Sequence, residues 1–348
     1  MKLRNLITFL EKVAPPIYQE DYDNCGLIVG QIDADITGII TCLDVTEEVL
    51  KEALDRQYNV VVSHHPIIFK GLKKLTGQTY VERVLLQAIK HDIAIYAIHT
   101  NLDNMYHRGV NSKIAEKLGL QNTAILLPKK ATRKLNIWIP AVHSETLKKA
   151  LLGVVEDLPQ SSSLTIFSGL SIDNNQQEAF IEIELLYAID LENHLLQVIK
   201  SMQLHTLLTY HTSDTNNLTL SIGAGIIGNL PTAMPENEFL AFLKSQMQTA
   251  CIRHTQYLGK EIRKVAVCGG AGGFLLSQAI RQGADIFITS DYKYHEFFDA
   301  DGKIMIADIG HYESEQFTAD LLSSWISQKF STFAVSSTTV RTNPVHYY

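Results

Sequence analysis

Asn59-Val60-Val61-Val62-Ser63-His64-His65-Pro66 is the stretch on which the fold turns. Three consecutive valines make a short β-branched run without polar alternation, the pattern of a strand buried on both faces in a parallel sheet. Two histidines and a proline follow at once. In a regular strand, neighbouring side chains point to opposite faces. Pro66 removes a backbone donor and holds His65 in extended geometry, so a turn at the strand end can redirect both imidazoles.

Similar apolar runs lie on either side, at residues 38–43 and 93–99, and helical patterns occupy 47–56 and 80–90 between them. At the start of the chain Leu3, Leu6, Ile7, Leu10 and Val13 recur at helical spacing until Pro15-Pro16 stops the helix. This is α/β layering. After residue 128 the character changes: a strand candidate at 135–139 and a helical stretch at 145–155 lead into a polar Ser/Asn/Gln-rich segment at 160–177. A second strand and helix follow at 179–186 and 191–202, which describes a small α+β domain of ferredoxin-like character. From residue 236 the α/β pattern resumes, with strands at 264–268, 285–289 and 303–308 and helices at 274–281 and 313–326. The expected fold is α/β: a split α/β domain with a mostly parallel sheet, halves 1–128 and 236–348, interrupted by an inserted α+β domain at 129–235. Its close is placed where Gly and Pro cluster, at 228–235.

A chain of 348 residues with 46% hydrophobic and 19% charged residues can bury a sizeable core and is not a disordered segment. It carries 30 Lys+Arg against 37 Asp+Glu, a formal charge of −7, with no basic run. That argues against nucleic acid as a partner and makes any anion site local. Cys25, Cys42, Cys251 and Cys268 are far apart and form no C-x-x-C pair, the usage of reduced cytosolic thiols. The early apolar run 6–10 is broken by Glu11 and Lys12, too short for a signal peptide or a membrane span. The expectation is a soluble, cytoplasmic protein with no membrane partner.

Chemistry gathers at three strand ends: Ser63-His64-His65-Pro66, His99-Thr100-Asn101-Leu102-Asp103, and Asp308-Ile309-Gly310-His311-Tyr312-Glu313-Ser314-Glu315. Ligands of open parallel sheets bind beyond the carboxyl ends of the strands, so the three clusters can converge. His311 and Glu315, four apart at a helix start, share one face. His64, His65, Asp103, His311 and Glu315 offer three imidazoles and two carboxylates, more than one tetrahedral zinc uses. They suit two divalent metal ions about 3.5–4 Å apart. Zn is foremost, and the mixed ligand set also suits Mn, Fe, Co or Ni.

His99 and His295, near the clusters, are candidates for proton transfer or for orienting a ligand. His91, His143 and His205 read as ordinary surface histidines. Gly269-Gly270-Ala271-Gly272-Gly273 fits neither a dinucleotide fingerprint nor a P-loop, and reads as a tight turn approaching the site, with anion binding second. Lys70, Lys73, Lys74, Arg108 and Lys293 are either surface charges or cations for a phosphorylated substrate.

With Asp23-Asn24-Cys25-Gly26-Leu27-Ile28-Val29-Gly30 and Ala266-Val267-Cys268-Gly269-Gly270-Ala271-Gly272, these motifs resemble the NGG-interacting-factor-three-like dinuclear metal family, often labelled GTP cyclohydrolase 1 type 2 homolog. The middle region looks like the insert of its longer members, with Gly225-Ile226-Ile227-Gly228-Asn229-Leu230-Pro231 near its close. The resemblance implies the same five ligands and a toroidal homo-hexamer with metal sites facing an internal cavity. It also implies a small-molecule substrate, a purine nucleotide such as GTP, opened at C8 with formate leaving while His99 or His295 moves protons. Two rival readings stand beside it: a two-metal phosphoesterase or pyrophosphatase, and a non-enzymatic metal storage, delivery or interaction protein. Cys25 replaces a commonly aliphatic or small residue, and 160–177 lacks much of the insert's usual pattern.

Overall fold

In the computed structural model, the valines of residues 60–62 lie at the centre of a fully buried strand. The structure describes residues 1–156, 164–171, 180–203 and 208–348. His205 and parts of the polar segment 160–177 lie outside the described residues. The chain divides into two compact units, Met1–Leu127 with Gly223–Tyr348, and Pro128–Ile222.

The strands of the first pass are β1 (Gly26–Val29), β2 (Ile39–Cys42), β3 (Val60–Ser63), β4 (Ala94–Ala97) and β5 (Gln121–Lys130). Those of the middle are β6 (Thr132–Pro140), β7 (Leu164–Ser171), β8 (Phe180–Ala188) and β9 (Thr209–Asp214). The return adds β10 (Leu218–Pro235), β11 (Arg253–His254), β12 (Glu261–Val267), β13 (Ile286–Thr289), β14 (Met305–Asp308) and β15 (Val335–Ser337).

The larger unit has the expected α/β class, but its strands form two sheets where one was expected. One has the order β1-β4-β3-β2-β15, parallel except for β1; the other has the order β11-β14-β13-β12-β10-β5, with β12, β13 and β14 parallel. An apolar run records that a strand is buried on both faces and says nothing about its partners, so the runs could not be sorted into sheets. The helices Glu47–Asp55 and Tyr80–Lys90 begin at Thr46 and Thr79, whose side chains accept from Val49 N and Glu82 N. They pack Val49, Leu50, Val84 and Leu85 against Ile40, Val61 and Ile95. Around the second sheet, Ala266, Phe287 and Ile306 share a core with Leu275, Leu276 and Ala279.

The smaller unit has the order β7-β8-β6-β9, wholly antiparallel, with helices Ala141–Glu156 and Glu192–Ser201. Strand, helix, two strands, helix, strand in this spatial order is the ferredoxin-like arrangement. Residues 164–171, within the polar segment, form its strand β7. The division falls at Ile222/Gly223, ahead of the Gly/Pro cluster at 228–235, which lies inside β10. There the pairing with β12 shifts register between Asn229 and Met234, and such an irregularity admits Pro231 without ending the sheet. Among the described residues no helix is long and apolar enough to cross a membrane.

Candidate metal centre

The strand β3 delivers its histidines while still paired to its neighbour: His64 N donates to Cys42 O at 3.0 Å and His65 N to Leu43 O at 2.9 Å. The two imidazoles nonetheless come together, with ring centroids 4.9 Å apart. Beyond β4, the short helix Thr100–Asp103 places Asp103, and beyond β14 the helix His311–Glu315 places the remaining two candidate ligands. Gly310, at φ +92°, starts that last turn. A Cβ there would lie 2.3 Å from Glu313 Oε2, so the position requires glycine.

Glu315 is the centre of the cluster. Its Oε2 lies 3.0 Å from His65 Nε2 and 3.1 Å from His311 Nε2, and its Oε1 is 3.8 Å from His64 Nε2. His64 Nε2 is in turn 3.5 Å from Asp103 Oδ1. Among the described residues three donor groups result, His64–His65–His99, His65–His311–Glu315 and His64–Asp103–Glu315, in each of which the donor atoms lie within 4.8 Å of one another. Each could hold a metal ion, and the last two share one carboxylate.

The fit can be judged from atoms left without partners. His64 Nε2 and Asp103 Oδ1 are buried and neither makes a hydrogen bond. Leaving such atoms unsatisfied costs about 1–3 kcal/mol each, which a cation between them would remove. His65 Nε2 and His311 Nε2 face each other at 3.3 Å, a close approach of two nitrogens that are metal donors when deprotonated. Each of the three rings fixes its other nitrogen on an oxygen: His64 Nδ1 on Ile98 O at 2.9 Å, His65 Nδ1 on Asp44 Oδ1 at 2.8 Å, and His311 Nδ1 on Asp291 Oδ2 at 2.6 Å. That is how metal-binding histidines are usually oriented.

Titration follows the same geometry. Burial lowers the His64 imidazole to about 4, against the pull of Glu315, so it stays neutral. Burial also disfavours charge on His65 and His311, but the carboxylates around them prevail, raising His65 to about 10 and His311 to about 11. Burial works to raise Glu315 as well, yet His311, His64 and His65 hold it well below the usual carboxylate range. Asp103 goes the other way: burial, then the charge of Glu315, raise it far above that range. The protons on His65 and His311 offset the crowded carboxylates, and a cation bound there would displace them.

His99 joins the group, its ring 5.2 Å from those of both His64 and His65. Its Nδ1 meets Asp23 Oδ1 at 2.9 Å. The hydrogen bonds of His99 and of Thr100 keep the Asp23 carboxyl well below its ordinary range despite burial. His295 is not brought in: it is exposed on the turn Tyr294–Ala300 beside Tyr294 and Phe298. It follows the end of β13 closely in sequence, but the turn carries it outward.

The glycine turn approaches the site closely. Gly270 has φ +63°, and a Cβ there would meet Glu315 Oε1 at 2.5 Å. Three of its amides are taken internally: Gly269 N donates to Asn111 Oδ1, Gly270 N to Ser314 Oγ and Gly272 N to Thr289 Oγ1, each at 2.9 Å. The turn therefore supports the cluster from behind. Lys70, Lys73, Lys74 and Arg108 are exposed, Lys293 faces Glu296 at 3.7 Å, and none of the five lines the cavity of about 1020 Å³ onto which the cluster opens. Asp44 and Asp291 were missed from the sequence. Each stands two residues past a buried strand, β2 and β13, so the rule that located the ligands would also have found them.

The family model for Duf34/NIF3 (NGG1p interacting factor 3) matches residues 1–344. The chain belongs to the Duf34/NIF3 family. Among relatives, the GTP cyclohydrolase 1 type 2 homolog of Staphylococcus aureus (strain MRSA252) is 30% identical over 367 residues, covering 100% of both chains. A Bacillus cereus protein related to NIF3 has a solved structure that aligns with TM-score 0.80 and 28% identity, over 100% of this chain and 99% of that one. The Staphylococcus aureus protein SA1388 aligns with TM-score 0.81 and 30% identity over the same shares.

Proposed function

We propose that this Duf34/NIF3 protein holds two divalent cations and hydrolyses a small molecule of the purine nucleotide class. The observation that carries the reading is the shared carboxylate: Glu315 faces two separate donor groups, one through each oxygen. His64, Asp103 and Glu315 would hold one ion, and His65, His311 and Glu315 the other. Zinc fits this set first, with Mn, Fe, Co or Ni as further candidates. When bound, such a pair lowers the pKa of water to about 7 and polarises the bond under attack.

The chain's own residues do the rest. Asp44 and Asp291 keep the His65 and His311 rings turned so that Nε2 faces inward. His99, with Nδ1 fixed on Asp23, keeps Nε2 for moving a proton between water and the substrate. In a purine the reaction opens the five-membered ring at C8 and releases that carbon as formate, with two waters consumed. The family resemblance also supports a cytoplasmic homo-hexamer, which a solution mass would check.

The test is elemental analysis of protein prepared without chelator, alongside Glu315→Ala and His64→Ala, followed by assays on guanosine, GMP and GTP. About two metals per chain are expected, falling in both variants, together with metal-dependent formate release. Phosphate release without formate would favour phosphoester hydrolysis instead. Full metal loading without turnover of any substrate would favour metal storage or delivery.

A further inference from the structure

The cavity over the metal centre is acidic where a nucleoside triphosphate would need it basic. Besides Asp103 and Glu315, it is lined by five more carboxylates: Glu20, Asp44, Asp291, Asp308 and Glu313. Among the described residues, the one Lys or Arg in the lining is Arg253. That guanidinium is engaged, donating to the Asp308 carboxylate and to Tyr292 O at 3.1 Å. Arg341, close by, stands over the Tyr312 ring with Glu313 at 3.9 Å. Two divalent ions would add four positive charges to that of Arg253, and seven carboxylates still leave the cavity two charges negative. In the glycine turn the amides of Gly269, Gly270 and Gly272 are already donated within the protein.

What the cavity does offer is aromatic surface. Tyr22, Phe69, Tyr80, Phe274 and Tyr347 all line it and stay between 44% and 71% exposed. Large side chains left bare around one hollow mark a binding surface more often than chance. Phe69 lies edge-on to His99 with centroids 5.8 Å apart, so this surface begins beside the metal cluster.

We infer that the cavity takes a planar, uncharged heterocycle, a purine-type base or its nucleoside, stacked on the aromatic rim above the metal centre, and has no seat for a polyphosphate tail. Stacking recognises the flat ring whatever its substituents, while the acidic wall repels added phosphates. The inference narrows the hydrolase reading from a purine nucleotide to its base or nucleoside, and rests on that reading for the position of the reacting ring.

Calorimetric titration of the full-length, metal-loaded protein with guanosine, GMP and GTP tests it. Guanosine should bind tightest and GTP weakest, by at least about tenfold, with the gap narrowing as salt screens the wall. Phe69→Ala and Phe274→Ala should each weaken guanosine by roughly 5- to 100-fold, the usual range for one stacking side chain, with metal content unchanged. GTP binding as tightly as guanosine would overturn the inference, since phosphates would then be seated on the cations. Indifference of guanosine to both substitutions, or no binding of any probe, would overturn it too. Guanosine binding in the expected order without formate release would spare the inference and sink the hydrolase reading.

Discussion

The two units of this chain differ in how much charge they bury. In Pro128–Ile222, polar side chains pair over the sheet surface: Arg133 with Glu192 and Asp214, Lys134 with Glu184 at 2.5 Å, and Asn136 with Glu182 at 2.7 Å. The core beneath is built from Leu135, Ile137, Ile183, Leu185 and their like. In the larger unit, charged or ionisable groups go inside: His64 is wholly buried, and Glu313, Glu315 and Asp308 are 2–3% exposed. Burying an ion costs several kcal/mol unless partners compensate. Here the partners are imidazoles, an arginine and backbone amides gathered where strands end. The described part of the inserted unit keeps its charge pairs over an apolar core, while the larger unit also buries charge where the candidate site forms.

Substitutions should separate the two. Leu185→Ala, in the apolar core of the inserted unit, is expected to cost roughly 2–5 kcal/mol. Denaturant titration would read this, with metal content per folded chain unchanged. A parallel loss of metal would show that the units are not independent in this respect. Asp44→Asn and Asp291→Asn should be the mirror image: melting behaviour close to that of the parent, with metal affinity reduced roughly 10- to 100-fold as the His65 and His311 rings lose their anchors. Competition with a metal-binding dye would measure it, and an unchanged affinity would mean the two aspartates do not orient the ligands.

A pH effect follows from the same rings. With the site free of metal, His65 and His311 carry protons up to about 10 and 11 because carboxylates surround them. Those raised values stabilise the metal-free protein fully below the ordinary imidazole range, and that stability is lost as pH rises through 10. A cation must displace the same protons, so metal affinity should rise with pH between about 6.5 and 10, by at most about tenfold per unit for each proton. Calorimetry in two buffers of different ionisation enthalpy would count the protons released. Binding that is flat with pH would contradict the assignment of these rings as ligands.

Much of this was legible beforehand, for physical reasons that also explain the rest. Buried parallel strands are continuous apolar runs, so β2, β3, β4, β13 and β14 stand out, and the polar clusters at three of their ends point to Glu315 and the four residues gathered around it. Other strands lack that signature: the edge strand Arg253–His254 is two exposed residues, and β10, inside its sheet, contains glycines and two prolines that read as a boundary. The single helix expected at 313–326 is two, His311–Glu315 and Thr318–Lys329, because the turn that aligns His311 with Glu315 ends before the amphipathic helix begins. The orienting roles of Asp44, Asp291 and Asp23 were hidden since each depends on a contact across at least 20 residues of sequence. His295 shows the converse: adjacency in sequence without convergence in space.

The central claim is that Glu315 joins two cation sites. Anomalous diffraction from crystals of the zinc-loaded protein tests it most directly. Two peaks about 3.5–4 Å apart are expected, one beside His64 and Asp103 and one beside His65 and His311, with a Glu315 oxygen on each. A single peak, or ions bound away from this carboxylate, would contradict it.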